Sequence, residues 1–171
     1  DPAVVLVVDI GALRTSLVIV EDATPVFSRS VDVGGRQFTR AIAERTGTEL
    51  LRAEDLKLDL AVTALGNPVA EALPEIVTST IAPVVQEIRY SLNLFLSQEA
   101  HRGQVVEKVI LAGGSSLLPS MPEALGRALN LRVFVGDPWA RVIYPVDLRP
   151  ALDAIGPRFA VAVGLAMRET T

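Results

Sequence analysis

Residues 4–20, Val4-Val5-Leu6-Val7-Val8-Asp9-Ile10-Gly11-Ala12-Leu13-Arg14-Thr15-Ser16-Leu17-Val18-Ile19-Val20, constrain the fold of this chain more than any other stretch. Two runs rich in Val, Ile and Leu flank a short polar turn, the pattern of two strands with largely buried faces. Asp9 stands at the mouth of the turn. Gly11 lets the backbone turn tightly and come close to a ligand, and the hydroxyls of Thr15 and Ser16, with nearby backbone N–H groups, can donate to phosphate oxygens. Asp9 is of the right type to hold a hydrated Mg²⁺, which takes one or two carboxylates and keeps most of its waters. A hairpin turn with a solvated Asp fits the same residues, and the segment alone leaves both readings open.

The totals narrow the class. A chain of 171 residues, half hydrophobic by count, has enough apolar material for a real core in one domain or one lobe. A net charge of −4 without a basic run gives no footprint for nucleic acid. The absence of Cys excludes disulfides, thiolate metal sites and cysteine nucleophiles. No apolar run reaches the roughly 18–20 residues of a membrane span, so direct membrane insertion is not expected. The chain starts abruptly in a strand at Asp1-Pro2, without a basic leader, as expected of an excised piece.

Turn and cap signals organise the rest. Asp22-Ala23-Thr24-Pro25 predicts a turn and Val26 to Val33 a third strand, completing an antiparallel meander. Helices are predicted over Arg36 to Arg45 and Ala53 to Ala64. A long amphipathic helix is expected from near Glu75, kinked or broken near Pro83 and ended by Gly103; its stripe of Ile81, Val84, Val85, Ile88, Leu92, Phe95 and Leu96 reads as core. Further expectations are a strand over Val105 to Ala112, a helix over Pro119 to Leu129, a strand over Leu131 to Val135, an irregular stretch from Trp139 to Ile155, and a last helix from Pro157 to Arg168. Strands that begin as a meander and then alternate with helices imply a mixed sheet with helices packed across it.

Val109-Ile110-Leu111-Ala112-Gly113-Gly114-Ser115-Ser116 repeats the physical theme of the opening. A hydrophobic strand ends in paired glycines and a helix follows, and such strand ends are where α/β sheets take ligands. Bare backbone at Gly113 and Gly114 lets a flat group such as a purine or a ribose lie close. Together with Asp9-Ile10-Gly11, the two corners bracket a nucleotide if they share one end of the sheet.

These residues resemble the second half of the actin-like, ribonuclease H-like ATPase fold shared by actin, sugar kinases and heat-shock chaperones. Asp9-Ile10-Gly11 with Thr15 is similar to its second phosphate motif, and Leu111-Ala112-Gly113-Gly114-Ser115 to its adenosine motif. Within that superfamily the chain resembles the PilM family of type IV pilus assembly. The likeness rests on Gly34-Gly35-Arg36-Gln37-Phe38-Thr39, Glu87-Ile88-Arg89-Tyr90-Ser91-Leu92, Asn130 to Pro138 leading into Trp139, and Arg158 to Ala166. It implies one lobe of a two-lobed fold: a core of residues 1–33 and 67–171 with a small inserted subdomain at 34–66. It also implies ATP or ADP with Mg²⁺, bound between this lobe and a first lobe that precedes it in the family. The expected partners are the cytoplasmic tail of a PilN-like protein and the inner-membrane alignment complex, at the cytoplasmic side of the inner membrane. The intact protein is then at most a slow ATPase, and this lobe alone is inactive. The surface facing the first lobe is expected to be apolar, so self-association is predicted.

The resemblance proposes a nucleotide set of Asp9, Gly11, Thr15, Gly35, Glu54, Lys57, Gly113, Gly114 and Ser115, with Asp9 as the metal ligand. Glu54 and Lys57 lie one helical turn apart, and in related chaperones a pair so spaced touches the adenosine; an ordinary surface ion pair is the alternative. Gly35 either contacts the ligand or only lets the chain turn into its helix. Arg14 is expected to be solvated, Asp137 to order a turn, and Trp139 to anchor a loop or face a partner. His101, beside Arg102, suits a carbonyl-rich helix end better than a metal site. No Ser-His-Asp set or metal-ligand cluster has credible spacing. The competing readings are a sugar-kinase-like phosphotransferase, an FtsA-like cell-division protein, and an interaction module in which the glycine corners are only structural.

Overall fold

The computed structural model describes residues 4–63, 65–101 and 103–169. Three strands, β1 (Val4–Ile10), β2 (Thr15–Glu21) and β3 (Thr24–Val31), form the antiparallel meander. After α1 (Gly35–Thr46), α2 (Leu50–Val62) and α3 (Leu73–Leu96), strand β4 (Val106–Ala112) returns to pair in parallel with β1. Then α4 (Met121–Leu129) leads to the short β5 (Val133–Val135), parallel to β4, and α5 (Arg149–Ala166) ends the fold. The sheet order is β3-β2-β1-β4-β5, so the mixed sheet has β1 at its centre.

Alternation along β1 decides how the layers form. Val4, Leu6, Val8 and Ile10 are fully or almost fully buried and join Phe38, Ile42, Ile88, Phe95 and Leu125 in one core. The opposite face carries Val7, Ile110 and Asp9; Ala160 and Val163 of α5 share a cavity with Val7 and Ile110 there. Four helices therefore seal one face of the sheet, and α5 lies along the other.

Several predicted elements are redrawn. Helix α3 starts earlier than Glu75 and runs unbroken through Pro83. Pro83 lacks the N–H that would bond to the Ser79 carbonyl, but both residues are exposed, so water satisfies that carbonyl and the helix continues. It stops at Leu96 rather than near Gly103, and a 3₁₀ turn, Glu99–His101, follows. The stretch expected to be irregular up to Ile155 is helical from Arg149: Pro150 sits in the first turn, where its missing N–H costs nothing, and Pro157 lies inside α5 rather than at its start. Helix α2 begins at Leu50 rather than Ala53, and its predicted end at Ala64 lies outside the described residues, as does Arg102. The third strand starts at Thr24 rather than Val26, the Gly-Gly-Ser loop forms a 3₁₀ turn before α4, and β5 starts two positions beyond Leu131.

Candidate functional site: the glycine corners and the cleft between them

Parallel pairing of β1 with β4 sets Asp9 opposite Ala112, so both chains leave the sheet at the same end, side by side. Gly113 turns there with φ +82°, a conformation side chains rarely adopt, and a Cβ on it would collide with the Ile10 carbonyl and the Asp9 carboxylate. Its N–H donates to the Pro157 carbonyl at 2.8 Å, which fixes α5 to this corner. The first corner is held as closely. A Cβ on Gly34 would lie 2.6 Å from the Gly11 carbonyl oxygen, and the N–H groups of Gly35 and Arg36 donate to the Gly11 and Ala12 carbonyls at 2.8 and 2.9 Å. The opening of α1 is thereby fastened to the β1–β2 turn, and those two N–H groups are already engaged rather than offered to an anion.

The helical hairpin α1–α2 closes the site through one buried cation. Lys57 Nζ donates to Glu54 Oε2 at 2.7 Å, Thr39 Oγ1 at 2.9 Å and the Gly35 carbonyl at 3.1 Å, which uses all three ammonium protons. Lys57 is only 9% exposed while the Glu54 side chain is 42% exposed, so the pair is buried at its cation and open to solvent at its carboxylate. Thr39 also donates to Glu54 Oε2, and Glu54 Oε1 takes none of these bonds. Burial raises the pKa of Glu54, but hydrogen bonds from Lys57 and Thr39 and the charges of Lys57 and Arg158 outweigh it, holding the carboxyl below its usual value.

Between these walls lies a cleft of about 230 Å³. Of the predicted residues it brings together Gly11, Gly35, Glu54, Lys57, Gly114 and Ser115. It adds Leu58, Ala61, Leu118 and Arg158, which sequence reasoning missed. Leu58 and Ala61 follow Glu54 at helical spacing, a signal the sequence did contain; nothing in the sequence places Arg158 of α5 across the cleft. A second cavity of about 480 Å³ shares Ala12, Gly35, Glu54 and Lys57, so the ion pair is the partition between two hollows.

Asp9 and Gly113 sit behind the cleft rather than in its lining. Burial raises the pKa of Asp9, and the carboxylate forms no ion pair among the described residues. A half-buried carboxylate lacking a cation is what one Mg²⁺ with retained waters would satisfy, and no group of three or more acidic, His or Cys side chains among the described residues offers a fuller metal site. Thr15 is not brought to the site: it is fully buried and donates to the Val33 carbonyl at 2.8 Å, fastening β2 to the chain entering α1. Arg14 is exposed and paired with Asp32 at 3.0 Å. His101 stacks on Phe95 at 4.0 Å between centroids, with Nδ1 3.2 Å from Gln104 Oε1, so its neighbours are side chains rather than helix-end carbonyls. Asp137 accepts the Trp139 N–H at 2.9 Å, ordering a turn, and the Trp139 indole donates to the Leu152 carbonyl at 2.8 Å, anchoring the loop to α5.

A meander continued by parallel strands, with two glycine corners meeting at one sheet end beneath a helical hairpin, defines one lobe of the actin-like ATPase fold. The chain belongs to the family of type IV pilus assembly protein PilM, whose family model matches residues 1–170. A structure of a PilM–PilN type IV pilus biogenesis complex aligns with a TM-score of 0.76 at 32% identity, over 97% of this chain and 46% of that one. MreB5 of Spiroplasma citri bound to ADP shares the fold, with a TM-score of 0.70 at 15% identity over 99% of this chain and 54% of that one. Cell division protein FtsA of Rhizobium meliloti (strain 1021) is 26% identical over 92% of this chain and 38% of its own length. The chain thus spans about half, or less, of the proteins it is similar to.

Proposed function

We propose that this chain is the nucleotide-binding second lobe of a PilM-like scaffold, with ATP or ADP and Mg²⁺ clamped between it and a preceding lobe. The carrying observation is the placement of Asp9 opposite Ala112, which brings the carboxylate corner and the twin-glycine corner to one end of the sheet. The free Glu54 Oε1 accepts from ribose hydroxyls, and Lys57 holds that carboxylate in place and ionised. Gly114 offers flat backbone to the adenosine, and Ser115 Oγ, near Gly35, is a polar contact beside it. Asp9 holds the metal, which when bound neutralises phosphate charge and orients it. The nucleotide acts by setting how the two lobes close around it, and any turnover is slow and structural in purpose.

The similar PilM structure contains PilN, and we extend that partnership to the intact protein containing this chain: a PilN-like tail recruits it to the cytoplasmic side of the inner membrane, where it joins the alignment complex. Among the described residues no helix is long and apolar enough to cross a membrane.

Calorimetric titration of the full-length protein with ATP tests this reading, with and without Mg²⁺. Saturable binding that strengthens with Mg²⁺ and weakens in Glu54→Gln is expected. No binding in either condition would favour the interaction-module reading, for which the bonds from Gly35 and Arg36 to the β1–β2 turn already give the glycines a structural task.

A further inference from the structure

The hollow of about 480 Å³ that shares the Glu54–Lys57 partition with the nucleotide cleft is itself unassigned. Helix α1 lines it with Arg36 and Arg40, both exposed and one helical turn apart on the same face. Helix α2 lines it with Leu50 and Leu51, which are 55% and 81% exposed. Neither arginine is in an ion pair among the described residues. The lining carries three cations and one carboxylate, and that carboxylate, Glu54, is already bonded to Lys57. Arg36 and Arg40 therefore leave a local positive charge unanswered, in a chain whose net charge is −4.

We propose that this hollow is the docking site for an acidic amphipathic helix of a partner protein. Two carboxylates of the partner, one helical turn apart, pair with Arg36 and Arg40, and an apolar side chain on the same face enters the hollow beside Leu50 and Leu51. Charge and shape select this occupant. Guanidinium groups repeated at helical spacing match carboxylates repeated at the same spacing, and each such pair can form two parallel hydrogen bonds. The exposed leucines at the rim of a cavity give an inserted apolar side chain something to bury. An anionic membrane fits less well, because a flat surface does not enter a concave hollow. The exposed carboxylates of Glu49 and Asp55, which bracket the leucines in sequence, would also repel it. None of these four lining side chains belongs to the nucleotide set, so the docking site stands apart from the nucleotide reading.

The test is fluorescence anisotropy on the full-length protein with a labelled, alanine-based helical peptide of about 16 residues. The peptide carries two Glu one turn apart and a Leu on the same face; control peptides replace both Glu by Gln, or the Leu by Ala. Saturable binding of the Glu peptide is expected, about 3-fold to 30-fold tighter than the Gln peptide and weakening as salt rises. Joint substitution Arg36→Gln and Arg40→Gln is expected to remove the preference for Glu over Gln, and Leu51→Ser the preference for Leu over Ala. Unchanged urea midpoints check that these surface variants fold. Equal affinity for the Glu and Gln peptides, no binding of either, or a Glu preference that survives loss of both arginines overturns the inference. Sedimentation with phosphatidylglycerol vesicles runs alongside, and arginine-dependent vesicle binding without peptide binding also overturns it, assigning the surface to a membrane. Each of these failures leaves calorimetric ATP binding, and with it the nucleotide reading, untouched.

Discussion

Gly113 and Gly47 both have positive φ, at +82° and +66°, yet they carry different costs. Nothing lies within 4 Å of a Cβ on Gly47, so Gly47→Ala should lose only the left-handed strain, about 1 kcal/mol. Gly113→Ala adds collisions with the Ile10 carbonyl and the Asp9 carboxylate and should lose about 3 kcal/mol or more in denaturant unfolding. Equal losses would show that the corner yields more easily than its packing indicates. Asp9 carries a raised pKa caused by burial. Its contribution to stability is therefore complete below the unfolded carboxyl value and is lost as pH rises through the higher folded one. Asp9→Asn should raise the melting temperature of the nucleotide-free protein at pH 7, by about 2–4 °C for each kcal/mol relieved, and the gain should vanish in acid as the Asp protonates. The same substitution should reduce the Mg²⁺ dependence of ATP binding, a stability-for-function exchange that a purely structural Asp would not show. Glu54 has the opposite sign: its lowered pKa stabilises the fold above the ordinary Glu value, and that contribution is lost as pH falls through the folded one.

At the scale of elements, the α1–α2 hairpin depends on Lys57. Lys57→Met would leave Glu54 without its cation and Thr39 Oγ1 without the proton it accepts, and should destabilise by about 1–3 kcal/mol, read as a lower urea midpoint. The β2–β3 turn is suboptimal: Asp22 and Ala23 have φ of 47° and 62°, where Gly is preferred at the second position, so Ala23→Gly should gain about 1 kcal/mol. An unchanged midpoint for Ala23→Gly would mean that the turn relaxes in solution. The strands were legible because short, β-branched apolar runs such as Val4–Ile10, bounded by turn residues, fit a strand with one face fully and the other partly buried. The helices near proline were not. A local rule marks Pro83 and Pro157 as breaks, whereas α3 keeps Val84, Val85 and Ile88 in the core and α5 is pinned at the Pro157 carbonyl by Gly113. The corners of the site were legible from glycines after strands. Thr15 misled because its hydroxyl is equally suited to the Val33 carbonyl, and Arg158 was hidden because only tertiary docking of α5 brings it to Gly114.

For the molecule as a whole, exposed apolar side chains occur both on and around α2 (Leu50, Leu51, Val62 and Leu65) and after β4. Phe134 and Val135 of β5, Ile143 and Val146 of the following loop, and Phe159 and Val161 of α5 are all open to solvent. Light scattering on the 171-residue chain should show concentration-dependent association, and a monomer at high concentration would contradict that expectation. The larger claim is that a carboxylate corner and a twin-glycine corner, distant in sequence, serve one bound nucleotide. It is tested most directly by a crystal structure of the full-length protein with a non-hydrolysable ATP analogue and Mg²⁺. The account predicts phosphates and metal at Asp9–Gly11, the ribose at Glu54 and the base at the Gly113–Gly114 corner. A nucleotide seated elsewhere, or touching only one of the two corners, would contradict it.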